Sequence, residues 1–128
     1  MNRIRKNLIL AGGIVMVALG LFHTTFWLNP MWSSELAKLH PEMSALVQLF
    51  NICNVTLLTA LGVALLVCRR EVATTRLGRA LLLVIALFLA VRTVAGGFFP
   101  TDGNLLITGV LTLCVLLYLI PAVMKEER

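Results

Sequence analysis

In this chain of 128 residues, 59% are hydrophobic and only 13% are charged, whereas about a quarter of the residues of a soluble domain carry charge. A net charge of +5 would suggest nucleic-acid binding in a soluble protein. Here the apolar residues fall into four blocks of bilayer-spanning length, which argues against nucleic acid and leaves too little chain for a separate water-exposed core.

The first block, Leu8 to Leu28, has 21 residues without Asp, Glu, Lys or Arg, and about 20 residues at 1.5 Å rise cross a bilayer core of ~30 Å. It predicts a helix over 8–28. Gly13, Met16, Gly20, His23 and Trp27 recur at three- and four-residue spacing and so share a face. With Gly12, its glycines allow a neighbouring helix to approach closely. The basic start, the apolar run and Ala18-Leu19-Gly20 also fit a signal peptide. The run continues past that point, however, and its removal would reverse the charge asymmetry of the rest, so the helix is expected to be retained.

Asn29-Pro30 ends the first helix. In the connection 29–43, Ser33 can N-cap a short helix over 34–40 that Pro41 would end, with Met31, Trp32, Leu36 and Leu39 suited to a membrane interface. Pro41 and Glu42 fit the first turn of the next helix. Ser44 to Cys68 is an uncharged run of 25 residues and predicts a helix over 44–68. The basic segment 69–79 turns the chain back. Ala80 to Phe99 is a run of 20 residues whose only charge is Arg92. Pro100 to Asn104 reads as a tight polar turn. Leu105 to Met124 is a run of 20 residues and predicts the last helix, which Pro121 bends or ends. The fold class expected is all-α: a single up-down four-helix transmembrane bundle over 1–128, in an oligomer or beside a membrane partner subunit.

The positive residues set the orientation. Nine of them (Arg3, Arg5, Lys6, Arg69, Arg70, Arg76, Arg79, Lys125 and Arg128) flank one side, and Lys38 alone lies on the other. By the positive-inside rule both termini are cytoplasmic, and 29–43 and 100–104 face outward. Cys53, Cys68 and Cys114 all lie in apolar runs without a C-x-x-C pair, so they read as small packing residues.

That orientation places His23 ~8 Å below the outer surface, Gln48, Asn51 and Asn54 roughly 6–15 Å down, and Arg92 roughly 10 Å down. Thr108 and Thr112 lie one turn apart in the outer half of the last helix. Polar groups at similar depth on four helices suggest a pocket in the outer leaflet. A charge inside the membrane marks a functional position by default. Arg92 offers a planar fork for a phosphate, carboxylate or carbonyl, and His23 can donate, accept or carry a proton. Trp27, Phe98 and Phe99 suit the mouth. The expected ligand-binding set is therefore His23, Trp27, Gln48, Asn51, Asn54, Arg92 and Thr108. The ligand is a membrane lipid or quinone-like amphiphile with its head in the pocket; no cofactor is specified.

Two other readings use the same residues. Arg92 can be held by Asn51, Asn54, backbone carbonyls or Asp102, or can snorkel outward, making the cluster a scaffold in a structural or accessory subunit. Alternatively, His23 moves a proton while Arg92 stabilises an anion, as in a membrane enzyme. His23, Glu35, His40, Glu42 and Asp102 contain no pair at metal-ligand spacing on one helix face, so no metal site is expected.

Gly20-Leu21-Phe22-His23, followed by Thr24-Thr25-Phe26-Trp27, resembles the Gly-x-x-His element that ends the first helix of small bacterial membrane proteins of the DoxX-like type. The four-helix plan resembles theirs over most of the chain; Arg92 lies outside the motif. The resemblance implies the bacterial inner membrane, both termini inside, and an accessory role in quinone-linked oxidation. Small multidrug transporters are also four-helix proteins but use a carboxylate in the first helix, and 8–28 contains none. The quinone-linked disulfide-forming enzymes need paired cysteines. Membrane glutathione transferases carry a charged second helix, which 44–68 is not.

Overall fold

The apolar blocks fold as four long helices, each long and apolar enough to cross a membrane. A computed structural model describes residues 3–98 and 104–124, all-helical with no strand among them. Phe99, the turn residues 100–103 with Asp102, and Lys125 and Arg128 lie outside the described residues. Helix α1 spans Arg3–Thr24 and continues as a 3-10 turn over Thr25–Leu28. It is followed by α2 (Pro30–Leu36), α3 (Pro41–Val67), α4 (Arg69–Thr74), α5 (Arg76–Phe98) and α6 (Asn104–Val123).

The short helix begins earlier than the sequence suggests. Asn29 rather than Ser33 caps it: its side chain accepts from the Met31 N–H at 2.9 Å, and Pro30 stands in the first turn. An Asn cap followed by Pro satisfies one orphan donor and removes another, so the helix starts at 30 and ends at 36. The basic segment 69–79 comprises a six-residue helix, one extended residue, Thr75, and the first four residues of α5. α6 runs through Pro121 to Val123: with only two helical residues after it, the proline has almost no helix left to kink away.

The chain divides into two units, Gly13–Ala64 and Met1–Gly12 with Leu65–Arg128. In the first, α1 and α3 cross at glycines. A Cβ on Gly62 would meet Val17 Cγ2 at 2.6 Å, Val17 N at 2.7 Å and the Gly13 carbonyl at 2.9 Å. One on Gly20 would run into Thr59 Oγ1 and lie 3.1 Å from the Thr59 backbone nitrogen. The helices come this close because the glycine at each contact brings no side chain of its own, the small-residue mode of membrane helix packing.

In the second unit, α5 packs along α6 and α4 against the start of α5. Leu82, Ile85, Ala86 and Leu89 on α5 and Cys114, Tyr118 and Ala122 on α6 are buried. Tyr118, fully enclosed, donates its hydroxyl to the Gly12 carbonyl at 2.6 Å, and its ring lies where a Gly12 side chain would be. Such a hydroxyl must find an acceptor in an apolar setting. Most of the spans' surface remains apolar and exposed: Leu46, Leu49 and Phe50 on α3, Val84 and Leu87 on α5, Leu105 and Leu113 on α6.

Candidate functional site

In the unit Gly13–Ala64, the polar side chains gather at the end of α1. A helix leaves its last four carbonyls without partners, and in lipid each must be satisfied within the protein. Thr24 Oγ1 donates to the Leu21 carbonyl and Thr25 Oγ1 to that of Phe22, both at 2.6 Å. Asn51, buried on α3, donates its amide to the His23 carbonyl at 3.2 Å. The His23 ring donates from Nδ1 to the Leu19 carbonyl at 2.8 Å. In the neutral ring that bond puts the proton on Nδ1 and leaves Nε2 as the acceptor. The chain can thus tighten into the 3-10 turn at Thr25 without stranding a carbonyl. His23 and Asn51 are brought together, and the task visible for Asn51 is to close the end of α1.

Beside them lies an aromatic group. Phe26 packs edge-on to Phe22 and His23, with ring centres 5.4 Å apart in each case, and stacks on Trp32 at 5.2 Å. Rings in the turn after a long apolar helix match the aromatic belt of membrane interfaces. Trp27 lies beyond α1 and is exposed. Gln48 is exposed and Asn54 partly buried, and neither makes a hydrogen bond among the described residues.

Arg92 and Thr108 belong to the other unit. Arg92 is exposed, six residues from the end of α5, or ~9 Å along the axis. Among the described residues it makes no hydrogen bond or ion pair. Its Nη1 stands 3.1 Å from where a Gly96 Cβ would be. Helical side chains normally lean toward the N-terminus; this one lies the other way, over Gly96, toward the nearer end of the helix. That is how a long cationic side chain snorkels. Thr108 is exposed, and the Thr112 hydroxyl is taken up by the Thr108 carbonyl at 2.8 Å. No group of three or more His, Cys, Asp or Glu side chains is gathered among the described residues.

Sequence reasoning passed over Tyr118 and Thr59. Nothing local marks Tyr118, whose partner is 106 residues away. Thr59 has the spacing of one more apolar helix position. No protein-family model, curated protein or solved structure matches the chain.

Proposed function

We propose that this is an up-down four-helix protein of the bacterial inner membrane, with both termini cytoplasmic, that binds a lipid or quinone-like amphiphile through Arg92. The observation that carries this reading is Arg92 itself: exposed, without a partner among the described residues, in the run 80–99, which has no other charge. A cation at a helix centre costs about 3 kcal/mol, and for Arg92, which snorkels toward the end of α5, part of that cost remains. A phosphate, carboxylate or carbonyl held by the guanidinium fork offsets that cost, and the apolar surface of α5 accommodates the tail. His23 and Asn51, also in the expected ligand set, hydrogen-bond backbone carbonyls at the end of α1, so the reading rests on Arg92 rather than on them. The DoxX-like resemblance supports a quinone among the candidate amphiphiles.

A second reading, an accessory subunit of a membrane complex, draws on the self-satisfied cluster at the end of α1 and the exposed apolar faces. The chain purified in mild detergent and extracted with organic solvent separates the two. Bound phospholipid, isoprenoid phosphate or quinone near one per chain, lost in Arg92→Gln, supports the amphiphile. A stoichiometric partner chain, with lipid content indifferent to Arg92→Gln, supports the subunit.

A further inference from the structure

At the opposite end of α5 from Arg92, four arginines surround a corner that is built rather than loose. Thr75, extended between α4 and α5, accepts the Gly78 N–H on its hydroxyl at 2.9 Å and donates that hydroxyl to the Glu71 carbonyl at 2.8 Å. Val72 and Ala73 are buried, and the Val72 backbone occupies the place of a Gly78 side chain, so any residue but glycine would push the two helices apart. Arg69, Arg70 and Arg76 are exposed around this corner, and Arg79 is half-buried, its Nε enclosed without a hydrogen-bond partner. Glu71, exposed and in no ion pair among the described residues, is the corner's single acid.

The helix above the corner supplies the other half of an amphiphile site. At 100° per residue Arg76, Ala80, Leu83 and Leu87 lie within an arc of about 60° on α5, and all four are exposed. From Arg76 to Leu87 the helix rises about 16 Å, close to one leaflet's share of a hydrocarbon core of about 30 Å. Arg92 points about 160° away from Arg76, so this track is not the Arg92 site.

From this juxtaposition we infer that the α4–α5 corner binds an anionic phospholipid: its phosphate on Arg69, Arg70 and Arg76, one acyl chain along Ala80, Leu83 and Leu87. Guanidinium forks pair bidentately with phosphate oxygens. Thr75 and Gly78 lock the backbone that carries those forks, so only the side chains remain to be ordered on binding. Zwitterionic lipid carries the same tails but no net charge for the corner to attract. Free phosphate carries the charge but has no tail for the track.

The test is native mass spectrometry of the detergent-purified chain, titrated with phosphatidylglycerol, phosphatidylcholine or inorganic phosphate. Phosphatidylglycerol should bind at least about tenfold more tightly than phosphatidylcholine, given the attraction of each basic residue to an anionic lipid. Inorganic phosphate should not displace it. Arg69→Gln/Arg70→Gln/Arg76→Gln should remove the preference. The matching triple lysine variant, which keeps the charge and protects insertion and folding, should retain preference over phosphatidylcholine but bind more weakly than the wild type. The titrations are repeated on the Arg92→Lys background, where a phosphatidylglycerol preference should persist and should be removed by the triple glutamine change, which separates failure here from failure of the amphiphile reading at Arg92. Equal binding of the two lipids, displacement by phosphate, or wild-type affinity in both triple variants would overturn the inference.

Discussion

Gly62→Ala is the sharpest test of the α1–α3 crossing. In a helix, replacing glycine by alanine gains up to about 1 kcal/mol in propensity when nothing else changes. At Gly97 nothing lies within 4 Å of the new Cβ, so Gly97→Ala should be neutral or slightly stabilising. At Gly62 the new atom would sit 2.7 Å from the Val17 backbone nitrogen, and ordinary contact begins at 3.4 Å. Val17 Cγ2 can rotate away, but its nitrogen and the Gly13 carbonyl are backbone and cannot. The helices must therefore separate by about 0.7 Å, a gap of the size that forfeits a quarter to a half of the dispersion attraction across it. Overpacking of this kind costs about 1–3 kcal/mol, more than the propensity gain at its upper end. Thermal unfolding in one detergent, followed by circular dichroism, should show Gly62→Ala melting below wild type and Gly97→Ala at or above it. If Gly62→Ala melts with Gly97→Ala, the crossing is not backbone on backbone and the packing argument fails.

Tyr118→Phe removes one buried bond while preserving the ring; it should lower stability by about 0.6–1.5 kcal/mol, read in the same melts. Asn51→Ala withdraws the donor from the His23 carbonyl and should destabilise by about 1–2 kcal/mol without changing the bound amphiphile, which lipid extraction checks. Single cysteines in 29–43 should react with an impermeant thiol reagent added outside cells, and cysteines in 69–79 should not; the opposite pattern would invert the proposed orientation.

The spans were legible because bilayer length and missing charge are properties of composition, and Leu8 to Leu28 needs no tertiary knowledge to read as a helix. Their ends were less so. α1 already runs at Arg3, since Arg3, Arg5 and Lys6 are good helix formers that carry the helix beyond the apolar run. The cap at Asn29 won over Ser33 because the following proline is preset for a helical first turn. At the site, a charge in a hydrocarbon span marked Arg92 at once. The direction of its side chain depended on the space left by Gly96, and depth arithmetic ignores neighbours. Asn51 was visible as polar, but its partner is the His23 backbone, which no residue pattern advertises. Tyr118 was hidden for the same reason: Gly12 is joined to it only through the fold.

Arg92→Lys, with bound amphiphile and melting temperature measured on one detergent-purified sample, tests the central claim most directly. Lysine keeps the charge and the reach but loses the planar fork. If Arg92 holds a ligand head, the variant should melt within a few degrees of wild type while losing most of its bound lipid or quinone. A variant that keeps its full complement of amphiphile but melts well below wild type would contradict the account and make Arg92 part of the scaffold.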